Sequence, residues 1–356
     1  MQSDLQIFLD TTEHRKPERI LYYFTLTDDI GRRITDYLKG ADFKQHYNLF
    51  IPYDIYPQRP SNVVPPDYSR YWENEHLSPA TRINSIGVAE VPGDFYHFWR
   101  YLSPLSKANS LRDIEKYPIE DMSTWDMSYM SETVERAHAQ GQTVRGWVGH
   151  IYENAWQIRG YEQFLMDMIE RPSWAQCLLD KLAEQCLVRA KAYAKADVDW
   201  IQCGDDVANQ NTLMFSPLLW EKMIYSKWKE IWHNVKLINK NARIWYHSDG
   251  NIIDIIGKLV DAGVNILNPL QPECLDIDSV YRSYGRHLTF DGCIGTQTTM
   301  PLGTPDDVRA RVREVIKKYG QNGGLILSPT HILEPEVPIE NIEAFVNACK
   351  DFAKGL

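Results

Sequence analysis

Short apolar runs alternate with longer amphipathic segments over most of this chain, and that alternation restricts the fold more than any other feature. Residues 143–148, 199–203, 244–246, 264–267, 288–290 and 324–327 each read as a short buried strand, and residues 19–24 as an earlier one. Between them, residues 174–196, 217–235, 279–284 and 339–353 read as helices. Thr304, Pro305 and Asp307 open a further helix: a cap, a proline at the first helical position and a carboxylate three residues after the cap. Such alternation implies a parallel sheet with helices outside it. About seven or eight strands are present and no GxGxxG follows the first, so a closed barrel fits better than an open dinucleotide-binding sheet. The expected fold is therefore α/β, a (β/α)8 TIM-type barrel in which residues 1–356 form a single domain. An N-terminal extension carries a helix over residues 4–13. Residues 44–82 interrupt the pattern, with Pro52, Pro57, Pro60, Pro65 and Pro66 interleaved with tyrosines. This stretch is expected to be a loop excursion covering the barrel, with a homodimer face as a second role open to it. Residues 83–91 then return from it in extended form.

Composition narrows the partners. A net charge of −10 argues against nucleic acid, and no run of basic residues reverses that. No apolar stretch approaches the ~20 residues that span a bilayer. The first residues lack the basic-then-apolar layout of a signal peptide. No membrane partner is expected, and the cytoplasm is the expected location. The six cysteines are scattered singly with no CxxC pair, as in a protein that keeps reduced thiols. The chain is 12% aromatic, and Tyr96, Trp99, Trp156, Trp245 and Tyr246 fall near proposed strand ends, a hint of a flat organic ligand whose ring Tyr96, Trp99 and Trp156 could wall.

In such a barrel the side chains just after each strand face one mouth, where the chemistry sits. Reading them off gives His150 and Glu153 after residues 143–148, then Asp205 and Asp206 after the next strand. His247 and Asp249 break the chain between the strand at 244–246 and a helix closed by Gly263. Asn268 and Gln271 follow, then Asp291, Cys293 and Gln297, and last Ser328, Thr330 and His331. Plainer roles compete with catalysis. Asp205 and Asp206 could cap the segment after them, and Asp249 could cap a helix starting near Ile252. A lone histidine at a strand end is most often a satisfied polar residue. Two of them, His247 and His331, closing different strands with Cys293 between, shift the balance towards function.

At these positions the chain resembles the uroporphyrinogen decarboxylase superfamily. The likeness covers nearly the whole length and is carried by GDDVANQ (204–210), FSPLLWEKMI (215–224), YHSDGN (246–251) and GVNILNPLQP (263–272). FDGCIGTQ (290–297), LGTPDDV (302–308) and LILSPTHILEPEVPIENI (325–342) complete the set, which is specific in this order and weak piece by piece. The tetrapyrrole decarboxylases of that superfamily grip their acidic substrate with arginines on a segment like RQAGRYLPEYR, just after the first strand. Residues 23–29 here contain no arginine and end in Asp28 and Asp29, which would repel a polycarboxylate and forfeit bidentate contacts.

The resemblance therefore points to the other branch, the corrinoid-dependent methyltransferases. Their zinc site is a His-x-Cys after one strand and a Cys in a PGCG-like turn after the last. His247 matches the first ligand, while Asp249 and His331 stand where the two cysteines would be. A His-Asp-His set remains a legitimate zinc site with one position open, and its harder donors suit an oxygen-bound methyl group better than a thiol. The function implied is methyl transfer from a small methylated substrate, such as an aromatic methyl ether, to the cobalt of a partner corrinoid protein. This is cobalamin-dependent O-demethylation, and no DxHxxG-type corrinoid motif occurs in the chain itself. Either zinc on His247, Asp249 and His331 polarises the leaving oxygen, or Glu153 or Asp205 protonates it as a general acid. Asp206, Asn268, Gln271 and Gln297 join the aromatic wall in binding substrate. Two alternatives stand beside this: a decarboxylase in which Asp28 or Asp205 holds a pyrrole-like NH, and a catalytically silent binding barrel.

Overall fold

The computed structural model describes residues 2–93 and 99–352. In chain order its strands are β1 (Leu21–Tyr22), β2 (Tyr53–Ile55), β3 (Arg82–Ile83), β4 (Ala89–Pro92), β5 (Trp99–Leu102), β6 (Val144–Gly149), β7 (Trp200–Gly204), β8 (Arg243–His247), β9 (Val264–Asn268), β10 (Thr289–Ile294) and β11 (Leu325–Pro329). Eight of them form one sheet in the order β1-β11-β10-β9-β8-β7-β6-β2, and every pairing is parallel. The Phe50 N–H, just before β2, donates to the Tyr22 carbonyl at 2.8 Å, bridging the two end strands. The sheet thus curls into a (β/α)8 TIM-type barrel with helices around it.

The strands bury both faces, which is why they read as continuous apolar runs. One set of side chains points into the barrel: Leu21, Trp200, Trp245, Ile266 and Ile326 form a cluster with Phe50. The alternate set, including Ile201, Ile244, Tyr246, Leu267 and Leu325, packs outward in the larger core under the helices. The N-terminal helix Asp4–Thr12, capped by the Ser3 side chain, closes one end of the barrel. Its Ile7 and Phe8 enter the inner cluster, and the Phe8 ring stacks on Trp200 at 5.5 Å and Phe50 at 6.1 Å. The helix Pro305–Val315 starts as expected, with the Thr304 hydroxyl accepting from Asp307 N–H and the Asp307 carboxylate accepting from Thr304 N–H. No helix among the described residues is long and apolar enough to cross a membrane.

Three expectations change. The stretch 44–82 is not all excursion: Tyr53–Ile55 within it is the second barrel strand. Only Ile55 of that strand is buried, and Pro52 and Pro57 flank it, so it lacks the apolar run that marks its neighbours. Its place is fixed instead by β6, whose Arg145 grips Asp54 bidentately at 2.6 and 2.9 Å. Second, residues 83–91 are not a simple returning segment, because β3, β4 and β5 form a separate antiparallel sheet. Third, the helix after β8 begins only at Ile256, so residues 248–255 form an irregular connection. Asp249 therefore caps no helix.

Candidate functional site

The sheet register brings three strand ends side by side: Gly204 of β7 pairs with His247 of β8, which pairs with Asn268 of β9. Gly204 permits this approach, since a Cβ there would lie 2.4 Å from the His247 carbonyl oxygen. His247 Nδ1 bonds Asn268 Oδ1 at 2.6 Å, so that nitrogen carries the proton and Nε2 keeps its lone pair. Nε2 faces Asp206 Oδ1 at 3.5 Å, and the ring stacks on Trp245 at 5.6 Å. Asp206 Oδ1 also accepts the Asp249 N–H at 2.8 Å, tying the loop after β7 to the loop after β8.

One donor atom from each of Asp206, His247 and Asp249 lies within 4.8 Å of the others. Asp249 Oδ1 is buried with no hydrogen-bond partner, a costly arrangement for a carboxylate unless something else supplies the missing charge. Burial lifts the Asp249 pKa above the ordinary carboxylate value, against the pull of His247. His247 is shifted upwards too: burial opposes its protonation, but Asp206, Asp249 and the Asn268 bond outweigh it. A divalent cation would relieve all three groups, and their donor chemistry fits one. His331, the expected third ligand, is exposed and is not one of these three donors, though its charge acts on Asp249.

A second group, His150, Glu153 and Asp205, adjoins the first. Asp205 is fully buried and accepts from Ile151 N–H (2.9 Å), Glu153 N–H (3.0 Å) and Trp228 Nε1–H (2.7 Å). It thus caps the start of the helix Tyr152–Arg159 from the neighbouring strand rather than the segment after itself. Burial pushes its pKa up to about 7, partly offset by His150. With three donors on it, Asp205 holds the helix in place. Glu153 Oε1 lies 2.7 Å from His150 Nδ1 and accepts the Asp206 N–H at 3.1 Å. Burial would raise the Glu153 pKa, but His150 outweighs it and the carboxyl sits below its ordinary value. His150 moves the other way: burial opposes its charge, but Glu153 and Asp205 lift it to about 9.

Deeper in the barrel, Asp291 of β10 is fully buried and accepts from Tyr23 (3.0 Å), Trp245 Nε1–H (2.7 Å) and Ser328 (3.4 Å). Burial raises its pKa to about 6 despite these donors. Trp147 lies against His150 at 4.9 Å and Trp245 at 6.4 Å, so the aromatic wall of the mouth is Trp147 and Trp245. Two residues expected in the wall have other neighbours. Trp99 is exposed on β5 under Arg82, Trp156 packs on Tyr101 and Tyr161, and Tyr96 falls outside the described residues. Of the strand-end aromatics, Trp245 does stand at the mouth, since alternation along β8 puts it on the same face as His247, while Tyr246 packs outward under the helices; Trp147 and Tyr23 were not singled out by the sequence. Of the polar residues expected at substrate, Gln271 accepts the Gly250 N–H at 2.7 Å and steadies the loop of Asp249. Gln297 is joined to Gln210 at 2.9 Å on the exposed rim.

Comparison with known proteins gives three findings. A family model described as Uroporphyrinogen decarboxylase (URO-D) matches residues 103–352. Uroporphyrinogen decarboxylases from Pseudomonas fluorescens and Pseudoalteromonas translucida are each 24% identical, over 263 and 262 residues, covering 69% of this chain and 69% and 70% of theirs. A solved structure described as a methyltransferase from Methanosarcina mazei superposes over 99% of both chains with a TM-score of 0.65 at 16% identity.

Proposed function

Because the chain belongs to the uroporphyrinogen decarboxylase (URO-D) family, we propose that within it this protein is a methyltransferase rather than a tetrapyrrole decarboxylase. It moves a methyl group from a small methyl ether to the cobalt of a partner's corrinoid. The observation that carries the reading is the Asp206, His247 and Asp249 donor group at the mouth, with one buried carboxylate oxygen unpartnered. The charge of the mouth argues in the same direction. Asp206, Asp249 and Glu153 gather there with Asp205 and Asp291 beneath, which suits a cation and opposes a substrate carrying many carboxylates. Asp28 and Asp29 open the helix after β1, where a polycarboxylate would need arginines.

A divalent ion bound by Asp206, His247 and Asp249 would supply Lewis acidity to the ether oxygen. The chain's own residues do the rest. As the carbon–oxygen bond breaks, the oxygen keeps the electron pair and needs a proton. Asp205 has its carboxylate engaged, and Glu153 is held ionised, so neither fills the role of acid expected for it. His150 does: it stays protonated near neutrality, with Nδ1 fixed by the Gly204 carbonyl and Glu153, leaving Nε2 to hand over the proton. Trp147 and Trp245 hold the organic part of the substrate.

The assay mixes the protein with reduced corrinoid and an aryl methyl ether and follows alkylation of cobalt by absorbance. Alkylation is expected, and uroporphyrinogen is expected to pass unchanged. Decarboxylation of uroporphyrinogen with no alkylation from any methyl ether would sink the reading. The proton donor has its own signature. Transfer is expected to be level between roughly pH 7 and 8 and to fall as pH rises through about 9, when His150 loses its proton. His150→Gln should lower the rate at neutral pH and remove that alkaline limb; an unchanged limb in this variant would assign the proton to another group.

A further inference from the structure

Beside the mouth lies a cavity of about 300 Å³ that none of the roles above uses. Trp147, Gly149 and His150 reach it from the end of β6, Gln185 and Arg189 from the helix Pro172–Lys195, and Ile86 from the turn between β3 and β4. Its shared wall with the mouth is therefore Trp147 and His150.

Arg189 is the anomaly. It is half-buried, its Nε is buried without any hydrogen-bond partner, and among the described residues its polar contact is a weak one to Cys186 Sγ at 3.7 Å. Among the described residues it forms no ion pair. Arginines of similar or deeper burial do: Arg159 with Asp167 and Arg145 with Asp54. Glu120 is the one carboxylate lining this cavity, and Arg59 already holds both its oxygens at 2.6 and 2.9 Å. The guanidinium lies directly against Gly149, where φ is +122° and a Cβ would come within 2.8 Å of Arg189 Nη2. Gly149 at the end of β6 thus leaves room for a cation that has no counter-ion among the described residues. Keeping such a group partly out of water is costly, and a bound carboxylate would offset the cost with paired, charge-assisted bonds.

We propose that this cavity is a carboxylate subsite, in which Arg189 binds the carboxyl group of an aromatic acid whose ring lies against Trp147. It deepens the methyl-transfer reading, on which it rests only for the reaction: the methyl ether acted on is borne by an aromatic acid. The space suits a single ring with a carboxyl group, and the ring extends from Arg189 past Trp147 towards the donor group at the mouth.

Isothermal titration calorimetry with benzoate and with benzamide tests it, because the two differ little in shape and fully in charge. Benzoate is expected to bind the unaltered protein at least about tenfold more tightly than benzamide. Arg189→Gln should abolish that preference, and Arg189→Lys should restore part of it. No benzoate binding, equal affinity for the two, or a folded Arg189→Gln chain that keeps the preference overturns the subsite. The comparison on the unaltered protein decides even where the variant fails to fold. Neither titration contains a corrinoid or a methyl donor. Benzoate binding without methyl transfer therefore defeats the reaction and leaves the subsite, and transfer from neutral ethers without benzoate binding does the reverse.

Discussion

His247→Ala is expected to abolish retention of a divalent ion after dialysis and to reduce methyl transfer by at least about 100-fold. The scale follows from metal sites in general, where losing an outer-shell partner alone costs roughly 10- to 100-fold. Removing an inner ligand should cost more. Here the imidazole is the one nitrogen donor of the group, and its loss leaves Asp206 and Asp249 as two like-charged donors with no third ligand beside them. Asp249→Asn should be nearly as severe, because the amide keeps the shape of the side chain and removes the charge of the unpartnered oxygen. Asn268→Ala, which frees Nδ1 and lets the ring turn, belongs in the outer-shell range. His331→Ala should retain the ion. Elemental analysis of dialysed protein measures all four. An ion kept by His247→Ala but lost by His331→Ala would overturn this donor set in favour of one built on His331.

The choice between Asp206 and His331 shows how much of the site could be read without coordinates. The sequence marks the strand ends correctly, because strands buried on both faces appear as apolar runs and the polar break after each one is visible. It places His247 in the mouth for that reason. The grouping of Asp206 with His247 and Asp249 was not legible, because the superfamily comparison favoured a residue after the last strand. Strand order argues otherwise. Neighbouring strands lie about 4.8 Å apart, so a residue after β7 is held beside the end of β8, whereas β11 is three strands further round the barrel. Asp249 was ambiguous for a different reason: only the late start of the helix at Ile256 removes the capping role. The second barrel strand was invisible because Tyr53 and Asp54 are exposed and the strand is secured by the Arg145–Asp54 pair, a contact 91 residues apart in the chain. Trp245 was marked by its place near a strand end, and Trp147 was legible in principle by its alternation with the mouth residues. The unpaired state of Arg189 was not, since pairing depends on which carboxylates the fold brings near.

The largest effect on stability is expected from Arg159→Met, and it arises from how the helix carrying Glu153 is held. Asp205 fixes the N-terminal end of Tyr152–Arg159 through the Ile151 and Glu153 N–H groups. Arg159 fixes the other end. Its Nε donates to Asp167 Oδ2 at 2.6 Å, and Nη1 donates to the Leu105 carbonyl at 2.6 Å and to that of Ser106 at 3.3 Å. The Arg159 and Asp167 side chains are 3% and 0% exposed, so this is a pair in the interior, unlike the surface pairs along Pro305–Val315. Surface pairs contribute little. Breaking an interior pair by removing one partner costs about 3–5 kcal/mol, chiefly because the other charge is left buried. Arg171, 39% exposed and 3.1 Å from Asp167 Oδ1, compensates only partly, since its charge is shared with water. Methionine fills most of the vacated length but cannot donate to the two carbonyls, which adds to the loss. Denaturant unfolding should show the drop, and Arg159→Met combined with Asp167→Leu should recover much of it, because no charge then remains stranded. A single variant as stable as the parent would mean that Arg171 and water already satisfy Asp167. Should the double variant recover stability but not methyl transfer, the ion pair matters to the site through the position it gives the helix of Glu153 and Trp156.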